Sequence, residues 1–188
     1  MLNENDLWLL SYYRQSEIAG ALFFGHLART FKPGPIQRDM TQHFADEAQH
    51  ANLWGQCIDR LGAKPLQMQS HYQDRYVEAV GLPANVMEVL AITQVFERRV
   101  INQYARHARV AHIDPHIHAT LETIKIDEQW HIRWIKDALK SLEPEYGADH
   151  ITATLKRFRQ ADREIYQKTL GEHAERITYL EKSAALLI

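Results

Sequence analysis

Apolar side chains recur along the chain at intervals of three and four residues, the spacing that places them on one face of a helix. Five long helices are predicted. The first spans about Asn5 to Phe31, with Asn5 or Asp6 as its cap and Lys32-Pro33-Gly34-Pro35 as its stop. Its inward face carries Tyr13, Glu17, Gly20, Ala21 and Phe24. The second runs from about Ile36 to Leu61 and is closed by Gly62. The third spans about Ala84 to Val110, with Pro83 just before or at its first turn. The fourth begins at Asp114-Pro115, an Asp cap followed by Pro at the first helical position. It ends near Leu142, where Glu143-Pro144 interrupts it, and its inward stripe is Ile124, Glu128, His131, Ile132 and Ile135. A fifth helix extends from about Ala148 toward Leu180 on Ile151, Leu155, Phe158, Ile165, Tyr166 and Leu170. Between helices two and three, residues 63–83 form a long connection with a short helix around Tyr72–Val80. That connection is long enough to cross a bundle of this helix length, which would make helices two and three parallel.

The inward stripes are interrupted by charge in a repeated way. Asp46-Glu47-x-x-His50 on helix two is echoed by Asp127-Glu128-x-x-His131 on helix four. Glu and His three apart share one helix face, one turn above the other, so both can reach a single metal ion. A lone Glu-x-x-His is weak evidence, since roughly one is expected by chance in a chain of this content. Here there are two, each preceded by Asp. Each also has a carboxylate upstream by about thirty residues, Glu17 before Glu47 and Glu97 before Glu128. In antiparallel helical hairpins, residues equidistant from the turn lie at one level. Glu17 is therefore expected to face Glu47-His50, and Glu97 to face Glu128-His131. Four carboxylates and two imidazoles at one height form the ligand set of four-helix di-metal carboxylate bundles. Setting Glu17 on Glu97 also brings Ala28-Arg29 onto Ala108-Arg109, so the halves read as a duplication with one metal each and bridging carboxylates.

Composition narrows the rest. At 188 residues and 21.9 kDa, with 45% apolar and 24% charged residues, the chain suits one soluble globular domain, 1–188. A formal net charge of −2 gives nucleic acid no support as a partner. Cys57 is the only cysteine, which excludes internal disulfides, zinc knuckles and a four-cysteine iron site. No signal-like start and no apolar run of about 20 residues are present, so a cytoplasmic protein without a membrane span is expected. The tail Ala184-Ala185-Leu186-Leu187-Ile188 is expected to dock on the domain or on a second subunit, the latter giving a homodimer.

Carboxylates with imidazoles suit iron and manganese, whereas structural zinc prefers thiolate-rich sites. Two such metals bridged by mobile carboxylates can share the electrons needed to split an O–O bond. Asp46 and Asp127 are expected to accept the outer ring N–H of a metal-bound His on the partner helix. Gln94, three residues before Glu97, can hydrogen-bond near the metals. Gly20 and Ala21, one turn from Glu17, leave room for a substrate or allow close helix packing, with Trp54 as a wall or an electron carrier. Tyr104 is expected in the core. Lys156-Arg157-Phe158-Arg159 reads as a solvated face. His26, His43, His71, His107, His112, His116, His118, His150 and His173 lack partner spacing and are expected at the surface or in turns.

On Glu17, Glu47, His50, Glu97, Glu128 and His131 the chain resembles the ferritin-like di-iron carboxylate superfamily. That superfamily includes rubrerythrins, bacterioferritin-like proteins, the radical-carrying subunit of ribonucleotide reductase, bacterial multicomponent monooxygenases and aldehyde-deformylating oxygenases. The likeness covers about residues 5–142. It implies an all-α ferritin-like four-helix bundle with a long crossover between helices two and three, here followed by an additional C-terminal helix over about 148–182. It also implies two iron ions, Fe/Fe or Mn/Fe, that react with dioxygen or peroxide and draw on an electron donor. Rubrerythrins add a carboxylate where this chain has Gln94 and usually carry a cysteine-rich module that is absent here. Iron-storing ferritins generally differ in the second-half ligands. The resemblance therefore implies a di-iron oxidase or oxygenase of a small organic substrate, with a rubrerythrin-like peroxidase or ferroxidase as the alternative.

Overall fold

The computed structural model describes residues 2–68 and 72–185, with side chains described except at 72–74, 77, 169–175 and 177–185. Among the described residues all regular structure is helical, so the chain is all-α. The helices are α1 Glu4–Thr30, α2 Pro35–Arg60, α3 Tyr72–Val80, α4 Val86–His107, α5 Pro115–Ser141, α6 Glu143–Tyr146 and α7 Ala148–Ala185. No helix among the described residues is long and apolar enough to cross a membrane.

Cap chemistry explains where the helices begin. α1 is capped by Asn3 rather than Asn5 or Asp6: the Asn3 Oδ1 accepts the Asp6 N–H at 2.8 Å. This leaves Glu4 and Asp6 in the first turn, at the positive end of the helix dipole. α4 starts at Val86, inside the expected boundary, because Asn85 and Glu88 form a reciprocal cap. Asn85 Oδ1 accepts the Glu88 N–H at 2.9 Å, and Glu88 Oε2 accepts the Ala84 N–H at 2.9 Å. Asp114 caps α5 as its sequence indicates, accepting the His116 N–H at 2.8 Å. Pro144 does more than interrupt: it sits in the first turn of α6, where its missing N–H has no partner to lose. Gly147 then takes φ +82 and turns the chain into α7. Gly62 takes φ +74 just beyond α2, the left-handed conformation expected after a helix end. The side chains of Leu170, Ala184 and Ala185, and residues 186–188, lie outside the described residues.

The chain folds as two compact units, Met1–Gln73 with Ala111–Ile124 and Asp74–Val110 with Lys125–Ile188. In the first, α1 and α2 form an antiparallel hairpin whose turn is tied by Gln37 Nε2 donating to the Ala28 carbonyl at 3.0 Å. Going away from that turn, Phe24 meets His43, Gly20 meets Glu47, Glu17 meets His50 and Tyr13 meets Trp54. Leu9, Leu10, Met40, Ile58, Ile117 and Leu121 complete an apolar core. Fully burying side chains of this size contributes about 1.5–3 kcal/mol each.

In the second unit α7 packs along α4, and Leu90, Val95, Phe158 and Ile165 on these helices are buried. Polar ties fix that packing. Tyr76 donates to the Phe158 carbonyl, and Arg99 Nε reaches Asp162 Oδ1 at 2.9 Å. Arg157 reaches Glu88 at 2.7 Å while its guanidinium lies 4.7 Å from the centre of the Phe158 ring.

His26, His112, His116, His118 and His150 are exposed as expected, and the side chains of His71 and His173 lie outside the described residues. Two histidines are corrections: His43 and His107 are buried, at 0% and 2% exposure. Both occupy inward faces that their neighbours' spacing already defined, so burial follows from the helix and not from the imidazole. At His107 desolvation disfavours the charged ring and lowers its pKa from 6.5 to about 4. Folding thus requires the neutral ring, whereas the unfolded chain gains a proton below its ordinary pKa. Stability is full above pH 6.5 and falls toward pH 4. The loss expected from this one group is about 3 kcal/mol. Urea melts of wild type and His107→Leu across that range should show the wild type losing more; parallel curves would remove His107 as the cause.

Candidate metal centre

Each unit assembles three of the expected ligands on buried helix faces. In the first, Glu17 on α1 and Glu47 and His50 on α2 are 4%, 6% and 0% exposed. Each offers an atom lying within 4.8 Å of the others, so this buried group can hold a metal ion. In the second, Glu97 on α4 and Glu128 and His131 on α5 are 4%, 0% and 0% exposed. The register comes directly from the hairpins: three residues along a helix is nearly one turn, which stacks Glu47 on His50 and Glu128 on His131.

The separations are compatible with side chains that share an ion. His50 Nδ1 lies 3.6 Å from Glu17 Oε2, and His131 Nδ1 lies 3.5 Å from Glu97 Oε2 and 3.6 Å from Glu128 Oε2. These exceed the roughly 2.7–3.2 Å of an N–H···O hydrogen bond. Two ligands each about 2.1 Å from one ion, at 90° to 120°, are about 3.0–3.6 Å apart. The donor set also fits: hard carboxylate oxygens with imidazole nitrogen suit a divalent first-row metal. An uncompensated buried carboxylate is costly, and a cation bound among these side chains would supply the compensation. In both units the nitrogen facing the carboxylates is Nδ1.

His43 is a buried partner of Glu47 that spacing arguments passed over. Its Nε2 lies 3.2 Å from Glu47 Oε1, and its ring packs 4.0 Å from the ring centre of Phe24. The signal was present, because His43, Glu47 and His50 follow an i, i+4, i+7 stripe. Gly20 is explained by the same carboxylate. A Cβ there would collide with Glu47 Oε2, so the small residue makes room for a ligand's carboxylate. Ala21 and Trp54 are buried close by in the chain, with the Trp54 ring 5.3 Å from that of Tyr13.

The two halves share ligands but not surroundings. The position equivalent to His43 is Ile124, and that equivalent to Gly20 is Val100. The second triad has Gln94 instead, three residues before Glu97 and 3% exposed. Both polar atoms of its amide are buried with no hydrogen-bond partner among the described residues. A buried amide left unmet costs about 1–3 kcal/mol, so this side chain calls for a polar species beside it. Asp46 and Asp127 are half-buried, and Asp46 accepts from Gln42 Nε2 at 2.7 Å. Tyr104 is buried as expected. Comparison with family models, curated proteins and solved structures finds no match for the chain.

Gly20→Ala tests the contact with Glu47. The carboxylate is the far end of a flexible side chain and gives way before helix backbone does, so Glu47 is expected to swing aside. Thermal stability should change by no more than about 1 kcal/mol, the gain of Ala over Gly in a helix offsetting local crowding. Affinity for a spectroscopic ion such as Co²⁺ should fall about tenfold or more, as it does when a metal ligand loses its positioning. Unchanged affinity with a clear drop in melting temperature would show that the helices move instead.

Proposed function

We propose that the chain is a di-iron oxidoreductase that activates dioxygen and oxidises a small organic substrate, drawing on an electron donor. The observation that carries this reading is the burial, in each unit, of one imidazole among carboxylates at ligand-sharing separations. Glu17, Glu47 and His50 would hold one ion and Glu97, Glu128 and His131 the other, working as the carboxylate-bridged pair that the sequence resemblance implies. Bound iron supplies the one-electron steps and open coordination positions that dioxygen reduction requires.

The chain's own residues set the conditions for that chemistry. Burial keeps water from the ligands and strengthens every charge interaction among them. Glu47 lies over a residue without a side chain, so its carboxylate fits where a Cβ on α1 would exclude it. His43, against Glu47 Oε1, can hold or release a proton at that oxygen. Gln94 offers a buried donor and acceptor beside Glu97 for a polar reactant. Asp46 and Asp127 are assigned to orienting the outer ring nitrogens of the ligating histidines.

One observation favours the second reading, a peroxidase or ferroxidase. The space over Gly20, where an organic substrate was expected to enter, holds the Glu47 carboxylate. Such an enzyme needs only a path for peroxide or ferrous ion.

Metal analysis decides the shared part of both readings. Anaerobic loading with ferrous iron should give two metals per chain, and Glu47→Ala or Glu128→Ala should lose one or both because those carboxylates are proposed to bridge. A fully loaded wild type with one metal, or a double variant that still binds two, would sink the dinuclear assignment. Oxygen consumption that needs no organic substrate would then favour the ferroxidase.

A further inference from the structure

A second site lies apart from the triads in its chemistry. α4 and α7 border a cleft of about 530 Å³, a volume in the range of small-molecule sites. Five arginines line it: Arg98, Arg99 and Arg106 from α4, and Arg159 and Arg163 from α7. Asp162 is the one carboxylate among its described lining residues. That carboxylate is already committed, since it holds Arg99 at 2.9 Å and the pair is mostly buried, tying α7 to α4. Arg98, Arg106, Arg159 and Arg163 keep their exposure at the cleft.

Folding by itself does not ask for this arrangement. Arg159 and Arg163 are four residues apart on one helix face, a like-charge spacing that destabilises a helix by a few tenths of a kcal/mol. Concentrating guanidinium groups in a chain of net charge −2 creates a local positive field that an anion would relieve. Amide side chains at Asn102, Gln103 and Gln167 and the half-buried Tyr166 add neutral hydrogen-bonding groups and an aromatic surface to the same walls.

We infer that this α4–α7 cleft is a binding site for a small phosphorylated molecule, of nucleotide or organic-pyrophosphate class. Guanidinium forks match phosphate oxygens two at a time, and several such forks match an anion carrying two or more charges. A monocarboxylate carries one charge and matches only one such fork. A bounded cleft on an acidic chain fits a compact ligand better than a nucleic-acid strand, whose backbone calls for an extended basic track. The inference does not rest on the metal reading.

Calorimetric titration of the full-length chain with inorganic pyrophosphate, ADP and a single-stranded RNA oligomer at low salt tests it. Pyrophosphate and ADP are expected to bind. Arg159→Gln combined with Arg163→Gln should weaken both about 10- to 100-fold, the effect of losing charge-assisted hydrogen bonds. Arg159→Lys with Arg163→Lys keeps the charge but loses the fork, and should weaken binding by less. Arg133→Gln removes one charge from an exposed position outside the cleft lining and should leave both affinities unchanged. Absence of binding by wild type, equal binding by the cleft variants and Arg133→Gln, or binding of RNA without either small phosphate would each overturn the assignment. Circular dichroism of each variant confirms that the exposed substitutions leave the helices intact.

Discussion

Buried carboxylates are the constraint on which the rest of the structure depends. Glu17, Glu47, Glu97 and Glu128 are all at least nine-tenths buried, and desolvating each ion costs several kcal/mol unless charge or hydrogen bonds compensate. The helices are arranged so that compensation is available. In the first unit, His50 approaches Glu17 because the α1–α2 hairpin holds one register from Phe24–His43 to Tyr13–Trp54, while His43 reaches Glu47 from one turn away on α2. A one-residue slip of α2 would rotate each ligand by about 100° and carry the pair out of reach. Apolar contacts at Phe24, Tyr13 and Trp54 therefore do more than fill space: they lock the level at which charge meets charge.

A duplicated ligand pattern does not produce a symmetric site. Glu47 has His43 on one side and the bare backbone of Gly20 on the other, whereas the matching positions around Glu128 are Ile124 and Val100. The first carboxylate has an imidazole beside it and a glycine beneath it; the second sits at 0% exposure with Ile124, itself fully buried, one turn back on the same helix. The second half carries its own polar feature in Gln94.

α7 completes the second unit. Its apolar stripe buries Phe158 and Ile165 against the second unit, and Asp162 and Arg157 anchor it to Arg99 and Glu88. The opposite consequence of the same packing is a cleft walled by arginines. Lys156-Arg157-Phe158-Arg159 looked like an ordinary solvated face because a run in one helix does not reveal what stands beside it. Arg157 is indeed paired with Glu88, but Arg159 faces a space shared with Arg98 and Arg106.

The sequence alone determined the helices, the all-α class and the six Glu and His side chains that the helices bury. Helical period, Pro and Gly punctuation and the Glu-x-x-His spacing are local, and the physics that reads them acts within one or two turns. The short helix at Tyr72–Val80 and the cap at Asp114 followed for that reason. Caps at Asn3 and Asn85 were missed because several Asn and Asp residues compete near each start, and backbone geometry chooses among them. Everything that depended on the neighbouring helix waited for the tertiary structure. His43 was packed against Phe24, His107 became a buried neutral ring, and Gly20 proved to be the seat of a carboxylate instead of open space. A residue's own helix tells which way it points; only the packed partner decides whether it meets solvent, a cavity or a charge.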